Sequence, residues 1–211
     1  GGLAGAVVGD AMGTPTETMT RRRVIEVYGR LTQIVAPLES PFSQSRPAGR
    51  SSDDSSQMLM FAEVLADKGG LTIEDVVATL LAWADDEEMF RTGAGPTTRL
   101  AVARLREGAD PFAVGLGDVH WGTGVSNGAA MKAAPAGWIH PGDVQAAVRT
   151  AALMAAPTHN TQIAIAGAGA VIASGRLDGP TRRASAWRLW RSAMTCSVTA
   201  SSSALVSRSA L

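Results

Sequence analysis

The chain has 211 residues, with 19 Lys and Arg against 19 Asp and Glu, so its formal net charge at pH 7 is zero. This balance leaves no basic surplus for phosphate backbones or anionic lipid, so we expect neither nucleic acid nor a membrane as the main partner. Its 45% apolar and 18% charged residues are typical of a globular domain. A single cysteine excludes a disulfide framework and a Cys-rich zinc site, and favours a cytoplasmic protein, whose oligomeric state the sequence leaves open.

Apolar residues recur at three- and four-residue spacing along most of the chain, which indicates helices. The pattern predicts, in chain order, a helix stopped by Pro15, a helix from Ser52 to Gly69-Gly70, a helix capped by Thr72, a helix from Pro96 to Gly108, a helix opened by Asp143, and a helix opened by Pro157-Thr158 that runs to Ile172. No sustained period-two alternation suggests a strand. The sequence therefore predicts an all-α domain.

Two predicted connections, residues 32–49 and 111–126, are much longer than the usual 4–6 residues. Long connections in compact domains are often functional. Each leads into a polar segment, and these two polar segments contain the first candidate site residues.

The first polar segment is Ser52-Asp53-Asp54-Ser55. Its hydroxyl and carboxylate oxygens suit Mg²⁺, Mn²⁺ or Ca²⁺. The alternative is that Ser52 caps the helix while the two acids lie favourably at its positive end. On spacing alone, capping is the simpler interpretation.

The second polar segment is the glycine-rich stretch from Trp121 to Lys132. A loop that enters a helix capped by Ser126 or Asn127 would offer backbone N–H groups to a phosphate. A capped turn without a ligand is the commoner outcome for such a pattern. His159, which we place at a helix start, would on its own be a structural histidine.

Taken together, these segments resemble the ADP-ribosylglycohydrolase family. The resemblance lies in the Gly-Asp-Ala-Met-Gly-Thr-Pro-Thr-Glu stretch from Gly9 to Glu17, in Ser52 to Ser55, and in Ser126 to Met131. Weaker matches are Thr97-Thr98-Arg99 and Thr158-His159. The segments follow the family's order over residues 1 to about 175.

The resemblance implies a compact multi-helix domain at residues 1–175 that binds ADP-ribose beside a binuclear Mg²⁺ site, or Mn²⁺ in some relatives. It would hydrolyse the glycosidic bond of an ADP-ribosylated protein or a small ADP-ribose conjugate. By match to the family, Glu17 would be the catalytic acidic residue that contacts metal or water near the scissile bond, and Ser52, Asp53 and Asp54 would be metal ligands. The residues that would contact the substrate are Gly124, Ser126, Asn127, Gly128 and His159.

One part of the family pattern is missing. A second group of metal ligands, Asp-x-Asp-Thr-x-x-Gly, does not occur, and Asp178 is the only acid after residue 175. Residues 176–211 are instead rich in Arg, Ser and Ala, so we expect a disordered or non-native tail, such as a frameshift would give, in place of the family's C-terminal part. The metal site is then incomplete and hydrolysis impaired; the alternative is a catalytically silent ADP-ribose-binding or structural protein, as in the related lens crystallins.

Overall fold

The computed structural model describes residues 2–39, 46–117 and 124–174 of the chain. These residues form α-helices and one short 3₁₀ turn, Thr14–Thr16, with no β-strand among them. The helices are α1 Gly2–Gly13, α2 Arg21–Tyr28, α3 Asp53–Lys68, α4 Ile73–Ala84, α5 Glu87–Gly93, α6 Pro96–Arg106, α7 Pro111–Val114, α8 Ala134–Ile139, α9 Val144–His159 and α10 Gln162–Ser174. The predicted all-α fold is confirmed.

Local capping explains where several helices begin and end. Ser52 caps α3, which ends at Gly69 in a left-handed conformation with φ 72°. Thr72 and Asp75 form a reciprocal capping box at the start of α4. Asp143 caps α9 by accepting a hydrogen bond from the Ala146 backbone N–H. These starts agree with the boundaries predicted from the sequence.

The main core lies where α3, α4, α8, α9 and α10 meet. Many of its buried residues are alanines, which allow the helix axes to approach closely. The larger buried side chains in this cluster are Phe61, Leu65, Val76, Met154 and Ile172. A second cluster between α4, α5 and α6 is built around Leu80, Trp83, Met89 and Val102. Both clusters contact α3: Phe61 and Leu65 belong to the first, and Trp83 of the second donates a hydrogen bond to the Ser56 hydroxyl in the first turn of α3 at 2.9 Å.

One predicted boundary is wrong. Pro157-Thr158 does not open a new helix, because α9 continues through Pro157 to His159 and α10 begins only at Gln162. A proline inside a helix removes one backbone hydrogen bond and usually ends it. Here α9 loses the one hydrogen bond that an N–H at residue 157 would make, only two more helical residues follow Pro157, and its ring is fully buried. Tertiary packing therefore outweighs the local preference.

The two long connections differ from each other. In the first, the described residues 32–39 and 46–50 contain no helix, whereas the second includes the short helix α7, which packs against α9. Residues 40–45 and 118–123, including Trp121, lie outside the described residues, and so does the predicted tail at 176–211. None of the helices in the described ranges is long and apolar enough to span a membrane.

Candidate functional site

Asp10 of α1 organises the first turn of α3. Its Oδ2 accepts hydrogen bonds from the backbone N–H groups of Ser52 at 2.8 Å and Ser55 at 3.3 Å, and its Oδ1 accepts one from the Ser52 hydroxyl at 2.7 Å. The Ser52 hydroxyl in turn accepts from the Asp54 N–H at 3.1 Å, so Ser52 is the N-cap. An anion therefore occupies the positive end of α3, where the helix dipole favours it.

Asp10 lies in the Gly9 to Glu17 stretch that carries the family resemblance, but sequence reasoning assigned it no role of its own. A signal existed, because Asp10 is the only charged residue in α1. A lone carboxylate in an apolar helix needs a buried hydrogen-bonding partner. The capping role considered for Ser52 is observed, and its role as a metal ligand stays a prediction.

Four carboxylates are gathered near this turn. Burial, followed by the charge of Asp54, raises the pKa of Asp53 to about 7. Burial and then Asp10 raise the pKa of Asp54. Partial desolvation and then Asp54 raise the pKa of Glu17, and Arg46 acts in the opposite direction on Glu17. The predicted catalytic acid and the predicted ligands are thus close enough to repel one another, and a proton or a cation would relieve that repulsion.

The carboxylate and hydroxyl oxygens are of the type that Mg²⁺ and Mn²⁺ prefer. Their number is smaller than an octahedral ion needs. Among the described residues, no three His, Cys, Asp or Glu side chains converge closely enough to hold a metal ion. These acids therefore supply at most one side of a coordination shell.

The predicted substrate loop, residues 124–128, is fixed at its beginning by two threonines. The Gly124 N–H donates to the Thr97 hydroxyl at 3.5 Å, and the Thr161 hydroxyl donates to the Gly124 carbonyl at 2.7 Å. Gly124 has φ +74°, a conformation that a residue with a side chain rarely adopts. The loop is therefore anchored between α6 and the junction of α9 with α10.

His159 lies at the end of α9, which corrects its predicted place at a helix start. Its ring is buried, with Nε2 at 2.8 Å from the Ser126 hydroxyl and Nδ1 at 2.9 Å from the Thr158 hydroxyl. Burial, followed by the charge of Lys132, lowers the pKa of His159 to about 4, so the ring is neutral at pH 7. A Cβ on Gly128 would lie 2.3 Å from the ring's Cε1, so only glycine fits there.

The helix predicted to be capped by Ser126 or Asn127 does not form, and that prediction is wrong. Residues 126–132 fold as bends and turns, and α8 begins only at Ala134. Pro135 lies in the first turn of α8 and has no N–H to donate to residue 131, so a helix from residue 127 could not continue unbroken into α8. The helix-dipole argument for phosphate binding is lost with it, whereas the assignment of Gly124, Ser126, Asn127 and Gly128 to substrate contacts stays a prediction.

Because no helix forms there, Asn127 is free to reach across to α3. Its Nδ2 donates a hydrogen bond to Asp54 Oδ1 at 3.3 Å. Ser126 and Asn127 are exposed, while Gly124 and Gly128 on either side are buried. The structure thus joins the predicted substrate loop to the predicted metal-binding acids, although the two are 73 residues apart in sequence.

The sequence profile of the ADP-ribosylglycohydrolase family matches residues 1–208. The chain belongs to the ADP-ribosylglycohydrolase family. It is similar to the uncharacterized protein YegU of Escherichia coli, with 32% identity over 80% of the chain and 50% of YegU. It is also similar to the ADP-ribosyl-(dinitrogen reductase) glycohydrolase of Rhodospirillum rubrum, with 29% identity over 76% of the chain and 50% of that enzyme. The chain spans about half the length of the curated relatives it matches.

The family match extends through most of residues 176–211, which lie outside the described residues. That residues 176–211 are a disordered or non-native tail therefore stays a prediction. The metal ion and the cytoplasmic location also stay predictions.

In this ADP-ribosylglycohydrolase domain, sequence reasoning also missed Gly93 and Lys132. A Cβ on Gly93, at the end of α5, would lie 3.1 Å from the Asp53 Cβ, so Gly93 allows α5 to pack directly on that acid. Lys132, at the end of the glycine-rich stretch, is 2% exposed and lies in the turn region before α8. A lysine among alanines and a proline was the available signal, but nothing in the sequence shows what it contacts.

Proposed function

We propose that this chain binds the ADP-ribose group of an ADP-ribosylated protein or a small ADP-ribose conjugate, and contributes to hydrolysis of the bond between that group and its acceptor. The observation that carries the proposal is the hydrogen bond from Asn127 to Asp54. It brings an exposed, glycine-flanked loop and an acidic cluster to one place. Membership of the family and the similarity to a glycohydrolase support the same assignment.

The two halves of the site suit different parts of such a ligand. Ser126 and Asn127 offer exposed hydroxyl and amide groups that can hydrogen-bond to ribose hydroxyls or phosphate oxygens. The carboxylates of Glu17, Asp53 and Asp54 place negative charge where an oxocarbenium-like centre would develop at the anomeric carbon. A divalent cation held by Asp53, Asp54 and the Ser52 hydroxyl would orient ribose hydroxyls and lower the pKa of a bound water.

Glu17 is the proposed proton acceptor. In the reaction, the bond from the anomeric carbon to the acceptor nitrogen or oxygen breaks and the oxygen of water takes its place. The carboxylate of Glu17 would accept one proton from that water, the other proton stays on the new ribose hydroxyl, and the departing acceptor atom takes up a proton, so that one water is added across the bond. Its raised pKa brings it closer to neutral pH, which favours acid–base catalysis.

A second function is binding without hydrolysis. The supporting observation is that no three metal-binding side chains converge among the described residues. A site with too few ligands holds Mg²⁺ weakly. Such a chain would recognise ADP-ribose through the 124–128 loop but would not cleave its conjugates.

Calorimetric titration of the chain with ADP-ribose, with and without Mg²⁺, tests the proposal. We expect binding that Mg²⁺ strengthens, and we expect Asp53→Asn to remove the Mg²⁺ effect while Glu63→Gln, an exposed acid later on α3, leaves it intact. Loss of a ligand typically costs on the order of 10-fold or more in metal affinity. A metal effect that survives in Asp53→Asn would eliminate Asp53 as a ligand.

Release of ADP-ribose from an ADP-ribosylated peptide, followed by mass spectrometry, separates the two functions. Hydrolysis that is lost in Glu17→Gln while ADP-ribose still binds supports the first function. Binding of ADP-ribose without any release supports the second. A chain that does not bind ADP-ribose at millimolar concentration contradicts both.

A further inference from the structure

Lys132 places a positive charge inside the protein next to the candidate site. Its side chain is 2% exposed, and none of the ion pairs among the described residues includes it. The ammonium instead donates to the Thr158 hydroxyl at 3.2 Å and to Gln57 Oε1 at 3.4 Å, and lies 5.7 Å from the centre of the Phe61 ring. One group thus links α3, which carries Gln57 and Phe61, to the end of α9.

Such an arrangement is costly for the fold. A buried ammonium that forms no direct ion pair loses its hydration, and the neutral hydrogen bonds and the more distant charge of Asp53 compensate for that loss only in part. The neighbouring Gln57 Nε2 is also buried and has no hydrogen-bond partner among the described residues. Stability of the core alone therefore does not account for a lysine at this position.

A chain of hydrogen bonds leads from this charge to the surface. Lys132 donates to Thr158, the Thr158 hydroxyl bonds to Nδ1 of His159, and Nε2 of His159 bonds to the hydroxyl of Ser126. Lys132, Thr158 and His159 are buried, whereas Ser126 is exposed in the substrate loop. Lys132 can only donate, so it occupies one acceptor position of the Thr158 hydroxyl, and the hydrogen of that hydroxyl is directed to the Ala155 carbonyl at 3.4 Å. The remaining acceptor position then favours a His159 tautomer whose Nδ1–H donates to Thr158.

We propose that Lys132 is a positioning residue for the substrate loop: through Thr158 it fixes the orientation and tautomer of the neutral His159 ring, and through that ring the Ser126 hydroxyl. Gln57 also connects Lys132 to the acidic residues, because Gln57 accepts a hydrogen bond from Lys132 and lies one helical turn after Asp53 on α3. The same ammonium therefore hydrogen-bonds to α3 just after the acidic residues and to the end of α9, which contacts the substrate loop.

The test uses ¹⁵N-histidine-labelled chain and the ring-nitrogen chemical shifts of His159, which report its tautomer directly. We expect Lys132→Met and Thr158→Val each to change the His159 shifts, and Lys132→Arg, which keeps a donating cation, to restore the wild-type pattern. His140, whose Nε2 lies 2.9 Å from the Thr150 hydroxyl, is the internal control and should not change. Lys68→Met, at an exposed lysine paired with Asp75, is the control variant.

Circular dichroism establishes which variants are folded. If Lys132→Met is folded and its His159 shifts equal those of the wild type, the proposal is overturned. If Lys132→Met does not fold, Thr158→Val decides, because it keeps the charge of Lys132 and removes the hydroxyl through which Lys132 is connected to His159. Unchanged His159 shifts in folded Thr158→Val also overturn the proposal.

The consequence for ligand binding rests on the proposed function. With ADP-ribose as the titrant, we expect Lys132→Met to weaken binding on the order of 10-fold, as is typical when a group that orients a binding residue is lost. A wild-type chain that does not bind ADP-ribose would contradict the proposed function, while the His159 shifts, measured without ligand, would still decide the role of Lys132.

Discussion

Asp10 and Ser52 are joined by two hydrogen bonds, from the Ser52 N–H at 2.8 Å and from the Ser52 hydroxyl at 2.7 Å. The pair connects α1 to the N-terminus of α3, which carries Asp53 and Asp54. The start of the helix that carries both acids is therefore held by a carboxylate that lies 42 residues before Ser52 in the chain.

The variant Asp10→Asn tests this connection. The amide keeps the shape but has one acceptor oxygen and no charge, so either the two backbone N–H groups of Ser52 and Ser55 or the Ser52 hydroxyl lose their acceptor, and the helix loses its favourable anion. We expect the free energy of unfolding to fall by about 2 kcal/mol, or roughly 4–8 °C in Tm. Thermal unfolding followed by circular dichroism measures it, with Glu63→Gln on the exposed part of α3 as control. Equal Tm values for Asp10→Asn and wild type would contradict the connection.

Gly128→Ala probes the contact between the substrate loop and His159. The new methyl group would lie 2.3 Å from Cε1 and 2.8 Å from Nε2 of the ring, so the ring or the loop must move and the bond to Ser126 is lost. We expect ADP-ribose affinity to fall on the order of 10-fold or more in calorimetric titration. Gly70→Ala is the matched control, since its methyl group meets no atom within 4 Å. Unchanged affinity in Gly128→Ala would show that this contact does not shape the site.

The pH dependence of stability reports on the acidic cluster. The pKa of Asp53 rises from the ordinary aspartate value of 3.8, which applies to the unfolded chain, to about 7 in the folded chain. Between these values the folded chain retains a proton that the unfolded chain releases, so the contribution of Asp53 to stability declines as pH rises from about 4 to about 7. Without divalent cations, we expect Asp53→Asn to become more stable than wild type across this window, by on the order of 5 °C in Tm at its upper end.

Thermal unfolding of both proteins at several pH values in EDTA gives the comparison. A Tm difference that does not change with pH would mean that Asp53 is ionised at its ordinary pKa. Adding Mg²⁺ at pH 7.5 should raise the Tm of wild type more than that of Asp53→Asn, because a bound cation relieves the repulsion from Asp54.

The buried Lys132 should make the free energy of unfolding rise, not fall, with pH in the alkaline range. Burial lowers its pKa from 10.5 to about 8. Between these values the unfolded chain holds a proton that the folded chain has released, so the Lys132 contribution to stability improves as pH rises. Relative to Lys132→Met, wild type should gain roughly 3 kcal/mol between pH 7 and pH 10.5. Urea unfolding at a series of pH values measures the difference, and parallel curves for the two proteins would show that Lys132 is not destabilised by burial.

The sequence by itself determined the fold class and many helix boundaries. Ser52, Thr72 and Asp143 cap helices because a short polar side chain next to an apolar stripe satisfies N–H groups that the helix leaves open. Gly69 ends α3 because it adopts a left-handed conformation without strain. These are interactions between residues a few positions apart, which local chemistry is sufficient to predict.

Only the tertiary structure decided the composition of the site. Local chemistry predicted a break at Pro157 and a helix at Asn127, and in both places packing or a nearby proline gave a different result. The partnership of Asp10 with Ser52, of Asn127 with Asp54 and of Lys132 with Thr158 each joins segments 26 to 73 residues apart. Such contacts form because helices that bury their apolar faces together bring polar side chains from separate parts of the chain within hydrogen-bonding distance. The spacing of residues along the sequence does not show which of these side chains will meet.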